Sequence, residues 1–208
     1  MRYLFLILAM QFVYGVNGQA IKYELGLATA VEHFYKMQSK EEHEITFNKF
    51  EALSNAYPNE WLPAYYASIV KARMSLLKMG DRDLIADEAI SWVARSKKNQ
   101  VNDEVLCAES LANSAKMSIS PMRRWFSYES RIKTPLTLAK KINPHNPRIY
   151  VLEATMQHHL PSLFGGGCKA AIPIAKKAEK LLEEQGNRGN LPRWGIKSIK
   201  DILNACRY

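Results

Sequence analysis

Four asparagines recur along this chain at nearly constant intervals: Asn59, Asn102, Asn146 and Asn190, separated by 43, 44 and 44 residues. Eight positions after each stands a small residue, Ala67, Ser110, Ala154 and Ser198. Three positions after the first three stand Leu62, Val105 and Ile149, although the fourth has Arg193. Before the next asparagine comes another small residue: Ala52, Ala94 and Ala139 at seven or eight positions, Ala178 at twelve. Small residues at matched places in two successive segments are what close helix approach requires. A helical hairpin exposes an apolar face that it cannot cover alone, so the next hairpin stacks on it and the unit repeats.

The intervening sequence supports helices throughout. Apolar residues recur at helical spacing, as in Leu25, Ala28, Val31 and Phe34, then Ile45, Phe47, Phe50, Leu53 and Ala56, and no stretch alternates as a strand would. The pattern continues over 62–79, 83–98, 103–118, 122–142, 147–159, 168–185 and 192–206. Turn residues mark the breaks: Pro58-Asn59, Gly80-Asp81, Asn143-Pro144, Asn146-Pro147 and the polar run Gly186 to Asn190. Ser120-Pro121 reads as an N-cap followed by a first-turn proline. Pro135 and Pro173 fall within helical pattern and should each mark a kink or a true helix start. The expected fold is all-α, about eight helices in four stacked hairpins over residues 21–208.

The segment Phe50-Glu51-Ala52-Leu53-Ser54-Asn55-Ala56-Tyr57-Pro58-Asn59 resembles the end of a tetratricopeptide repeat's second helix, with its aromatic, small alanine and closing proline. Ala139 to Pro144 repeats that ending in weaker form. The chain departs from that superfamily in its longer period, about 43 against the usual 34, and lacks the full first-helix pattern. The resemblance implies an α-solenoid of stacked hairpins that binds a partner along its inner helices. Locally, Pro161 to Gly167 is similar to a segment joining the two helices of one hairpin in exported bacterial tetratricopeptide-like proteins, including a small periplasmic component of certain solute transporters.

The start of the chain reads as an export signal. Arg2 supplies a positive charge, Tyr3 to Val16 are apolar except for Gln11, and Asn17 to Ala20 provide small residues for cleavage. Residues 1–20 are therefore expected to be removed, since the apolar run is shorter than the roughly 20 residues of a membrane span. The remainder is expected in the periplasm or outside the cell, not spanning a membrane. Its charge is uneven. Residues 21–115 hold 11 basic and 14 acidic side chains, whereas 116–208 hold 17 and 6, a net of +11. That field favours an acidic partner rather than nucleic acid, which an exported chain rarely meets; the other reading is a solvated face that keeps the protein dissolved. In an oxidising compartment the odd number of cysteines, Cys107, Cys168 and Cys206, permits at most one internal disulfide. Cys168 with Cys206 is the first pairing to test, against three buried thiols.

Candidate chemistry is sparse. There is no Gly-x-Ser-x-Gly elbow, no His-Glu-x-x-His helix and no paired acidic motif, so neither an enzyme nor a cofactor is expected. Gly165-Gly166-Gly167 precedes a helix but continues Cys168-Lys169-Ala170, not the Gly-Lys-Ser/Thr of a phosphate loop. The expected role is a turn in which Phe164 plugs the repeat interface and the glycines take dihedrals other residues avoid. His158, His159, His145 and Cys168 suggest a metal cluster, but neighbours on a helix diverge by about 100°, so no metal site is expected. The residues proposed to meet a protein or peptide partner are Arg123, Arg124 and Trp125, where cationic and aromatic side chains adjoin, and Trp61, Tyr65 and Tyr66, which would line a concave groove. For both groups, core packing is the competing role. A small-ligand-binding accessory of an envelope transport system is the alternative function.

Overall fold

A computed structural model describes the backbone of residues 2–207 and the side chains of 18 and 20–207. The n-region and apolar stretch of the expected export signal lie outside the described side chains. Among the described residues the chain is all-α. The helices are α1 (Arg2–Lys36), α2 (Lys40–Ala56), α3 (Trp61–Leu76), α4 (Arg82–Asn99), α5 (Asp103–Met117), α6 (Pro121–Ile142), α7 (Pro147–His159), α8 (Cys168–Glu184) and α9 (Ile196–Ala205). A single 3-10 turn, Ser162–Phe164, lies between α7 and α8. No helix among the described residues is long and apolar enough to cross a membrane.

Consecutive helices pair as α3 with α4, α5 with α6 and α7 with α8, while α3, α5, α7 and α9 lie side by side. The repeated small residues explain the lateral contacts: Ala67, Ser110 and Ala154 are all fully buried, which lets backbones approach to the 8–10 Å of close helix packing. In the second helices the register differs from expectation. Ala52 and Ala94 are exposed, and Ser54 and Ser96, two positions later in each case, are the buried small residues. Ser96 can sit inside because its hydroxyl donates to the Trp61 carbonyl at 2.9 Å; Ala139 and Ala178 are buried as expected.

The asparagines divide in the same way. Asn102 caps α5 by accepting from the Val105 N–H at 2.8 Å, and Asn146 caps α7 by accepting from Arg148 N–H at 2.9 Å, satisfying helix-end donors that would otherwise be orphaned. Asn59 stands one residue before the N-cap, Glu60, which makes no side-chain cap. Asn190 starts no helix at all. Residues 186–195 run as an irregular strap, and α9 begins only at Ile196. Pro135 and Pro173 lie inside continuous helices α6 and α8, so neither is a helix start.

The strap closes the inner face of the array. Asn190 accepts from the Tyr66 hydroxyl at 2.9 Å and donates from its side chain to Glu24 of α1 at 3.0 Å. Trp194 Nε1 donates to the Tyr65 hydroxyl at 2.8 Å, and the Arg193 N–H donates to Tyr35 of α1 at 2.8 Å. Its entry is fixed by Arg188, which donates to Glu104 of α5 at 2.8 Å. Glu104 also pairs with Arg148 of α7 at 2.7 Å, in an ion pair almost wholly withdrawn from water. Two apolar clusters meet across α5: one around Phe34, Phe50, Tyr65 and Tyr66, the other around Ile149, Ala171, Ala175 and Ile199. Trp194 packs against both.

Of the two readings of the cysteines the structure shows the bridge: Cys168 and Cys206 form a disulfide that ties the first residue of α8 to the C-cap of α9, and Cys107 is a free, buried thiol.

Candidate functional site

The strap decides the fate of the predicted aromatic groove. Tyr65 and Tyr66 are fully buried beneath it, and burial pushes both phenols well above their ordinary range. Neither offers a surface to a partner in this structure, so that part of the expectation is corrected: a loop from the same chain takes the place of a peptide. Trp61 is half-buried and, with Tyr23, Leu27, Glu60 and Leu191, lines a concavity of about 370 Å³ beside the strap.

At the start of α6 the predicted residues separate. Arg124 is engaged within the chain, pairing with Asp83 at 2.7 Å and donating to the Lys116 carbonyl at 2.8 Å. Trp125 is half-buried, with the Lys133 ammonium 5.8 Å from its ring centroid. Arg123 alone of the three is exposed. The neighbours that were not singled out are the informative ones. Met122 and Phe126 are 92% and 90% exposed, one turn apart on one face of the helix. The signal available in the sequence was that same i, i+4 apolar pair, continued by lysines.

That face can be placed. Met122, Phe126, Lys133 and Lys140 fall on one stripe of α6 at steps of four and seven residues. Lys140 reaches Glu153 of α7 at 2.6 Å and lies 5.0 Å from the Tyr150 ring centroid. From the other side Lys177 of α8 lies 4.1 Å from the same ring. The stripe therefore looks across α7 towards α8, and α6 and α8 are not packed against each other. Tyr150 of α7 thus sits between a lysine of α6 and a lysine of α8. Its hydroxyl donates to the Pro144 carbonyl at 2.8 Å. Gln157, seven residues on from Tyr150 and on the same stripe, keeps a buried amide oxygen without a partner. On the opposite flank of α6, another concavity of about 460 Å³ is lined largely by polar side chains, including the paired Lys97 and Glu109.

The start of α6 is apolar on this stripe. The turn from α5 to α6 and the turn from α7 to α8 lie at the same end of the array, because both follow first helices of successive hairpins. The second of these turns carries Leu163 and Phe164, exposed by 87% and 71%. Phe164 thus does not plug the repeat interface as expected; the 3-10 turn points it to solvent. The glycines do what was expected of them. Gly165 and Gly167 have φ of 80° and 83°, and a Cβ on Gly166 would press into the Leu160 carbonyl oxygen. Four of the most exposed large apolar side chains described are Met122, Phe126, Leu163 and Phe164.

No protein-family model matches the chain, and no curated protein matches it significantly. Among solved structures the chain is similar to the HusA haemophore from Porphyromonas gingivalis, with a TM-score of 0.78 and 24% identity, covering 89% of this chain and 92% of that one. The likeness spans nearly the whole of both chains and shows a shared all-helical fold.

The histidines and cysteines also assemble differently from the imagined cluster. His145 lies at the far end of α7 and is exposed. His158 Nδ1 is 3.5 Å from Cys206 Sγ, while the His159 ring sits edge-on to His158. Burial and the neighbouring His158 lower the His159 pKa.

Proposed function

We propose that the protein is a non-catalytic, exported carrier of a small, flat, apolar ligand bearing carboxylates, namely haem, and that a cleft between α6 and α8 receives it. This is the transport-accessory alternative rather than the protein-scaffold reading. The observation that carries it is the exposed apolar set Met122 and Phe126 on α6 and Leu163 and Phe164 on the α7–α8 turn, with the cations of Lys140 and Lys177 on either side of Tyr150. A porphyrin needs that combination: apolar contact for the macrocycle and cations for its two propionates. Phe126 and Lys133 are seven residues apart on one stripe, about 10 Å of helix rise, comparable with the width of the ring. The shared fold with a protein named as a haemophore supports the same reading.

Titration of the chain with haemin, followed by the Soret band and tryptophan fluorescence, tests it. One-to-one saturable binding is expected. Met122→Ala with Phe126→Ala should weaken it at least about tenfold, since each buried side chain of that size contributes roughly 1.5–3 kcal/mol and 1.4 kcal/mol is a factor of ten. Unchanged affinity in the double variant would remove the cleft as the site, and absence of saturable binding would remove the ligand.

A further inference from the structure

We propose that a thiol reductant converts the Cys168–Cys206 disulfide into a zinc site whose ligands are the two thiolates and His158. The inference is independent of the α6–α8 cleft and of any porphyrin.

Three elements converge there. His158 is in the last turn of α7, Cys168 is the first residue of α8, and Cys206 is the C-cap of α9. One ligand atom from each, the imidazole nitrogen and both sulfurs, lie within 4.8 Å of one another. His158 Nδ1 is already 3.5 Å from Cys206 Sγ. Around a tetrahedral zinc ion, with bonds of about 2.3 Å to sulfur and 2.0 Å to nitrogen, donor atoms sit roughly 3.5–3.8 Å apart. The spacing of His158 to Cys206 therefore fits as it stands, and Cys168 Sγ, within 4.8 Å of the imidazole nitrogen, must move away from Cys206 Sγ to take its place. Two thiolates and an imidazole are a donor set that zinc favours. His158 and Cys168 are only half-buried, which leaves the fourth position open to water.

The scaffold does not depend on the S–S bond for its placement. Ala171 and Ala175 of α8 and Ile199 and Ile202 of α9 are buried in one cluster with α7. The Gly167 N–H donates to the Gln157 carbonyl at 2.8 Å, holding the start of α8 against the end of α7. The helix ends at His159, so the 100° divergence of His158 and His159 is no obstacle: His159 is not needed.

The chemistry balances. Two molecules of a small thiol give up two hydrogens and become a disulfide, while Cys168 and Cys206 take them up as thiols. Zinc then displaces one proton from each thiol and binds the neutral imidazole of His158. In the oxidised chain neither sulfur can be a thiolate, so metal affinity follows the redox state.

Cobalt(II), a spectroscopic stand-in for zinc, added to the full chain before and after reduction, reads the site directly. The reduced chain is expected to bind one equivalent, with sulfur-to-cobalt charge transfer and tetrahedral d–d bands that zinc abolishes; the oxidised chain should show neither. His158→Ala should weaken zinc binding at least about tenfold, as loss of even an outer-shell partner does. The Cys168→Ser, Cys206→Ser double variant, which retains Cys107, gives the background and shows by far-UV circular dichroism whether the fold survives without the bond. The proposal is overturned if the reduced chain binds no better than that variant, if His158→Ala binds as wild type does, or if the reduced chain loses its helical spectrum.

Discussion

Glu104 is the residue on which most of the interior polar structure converges. Its two oxygens meet Arg148 and Arg188 at 2.7 and 2.8 Å, and Arg148 continues to Gln185 at 3.0 Å. Side-chain exposures of 4% for Glu104 and 1% for Arg148 mean that neither charge has water to fall back on. The triad joins α5, α7 and the strap, three parts of the chain whose sequence separation reaches 84 residues. Removing one charge from a buried pair leaves the other uncompensated, which costs about 3–5 kcal/mol. Glu104→Gln is therefore expected to lower the unfolding free energy by that amount, read in urea as a lower midpoint at an unchanged m-value. A loss below about 1 kcal/mol would show that the triad orients the strap without stabilising it. Nothing in the spacing of Glu104, Arg148 and Arg188 along the chain suggested that they meet.

Helix α6 is held at its two ends by different means. Its second half is packed, with Ile132, Pro135, Leu136 and Ala139 buried, while its first three turns contain no buried residue. Those turns are tethered by ion pairs instead. Asp83, in the first turn of α4, accepts from Lys116 and Arg124, each at 2.7 Å. Arg124 first, then Lys116, hold the Asp83 carboxyl well below the usual carboxylate range. Its folded pKa is thus depressed relative to the unfolded chain, so the unfolded state takes up the proton more readily and stability rises with pH. The contribution is complete above the unfolded value of about 3.9 and is lost as pH falls through the folded value. The Tm difference between wild type and Asp83→Asn should accordingly persist at neutral pH and shrink steadily below pH ~3.9. A difference that is constant across that range would mean the carboxylate charge is not what tethers α6. The tether leaves the opposite stripe of the same turns, Met122 and Phe126, free for a ligand.

At the scale of the molecule, the array is closed by its last third. The strap seals the inner face and α9 packs on α7 and α8, with the Cys168–Cys206 bond closing a sequence separation of 38 residues. In the chain-entropy picture a loop of that length contributes about 4 kcal/mol by restricting the unfolded chain. The Cys168→Ser, Cys206→Ser variant should lose about that much in urea unfolding, and reduction of the wild type should reproduce it. A much smaller loss would mean that contacts of α9 keep the unfolded ends together without the bond.

The sequence by itself determined the all-helical class and the hairpin repeat, because helical periodicity, capping residues and small residues at contact positions are local or evenly spaced signals. Asn102, Asn146, Ala67, Ser110 and Ala154 carry that information and behave as read. It did not determine what becomes of the fourth unit. Asn190 matches the others in position, yet its backbone oxygen is more useful to the buried Tyr66 hydroxyl than its side chain would be as a cap, and an apolar inner face left open would have exposed Tyr65, Tyr66 and Trp194 to water. That trade depends on groups as far apart as Glu24 and Asn190 and exists only in three dimensions. The proposed ligand surface was half legible: Met122, Phe126 and the lysines share a stripe in the sequence, but only the packing of α6 on α5 decided that Met122 and Phe126 are left exposed.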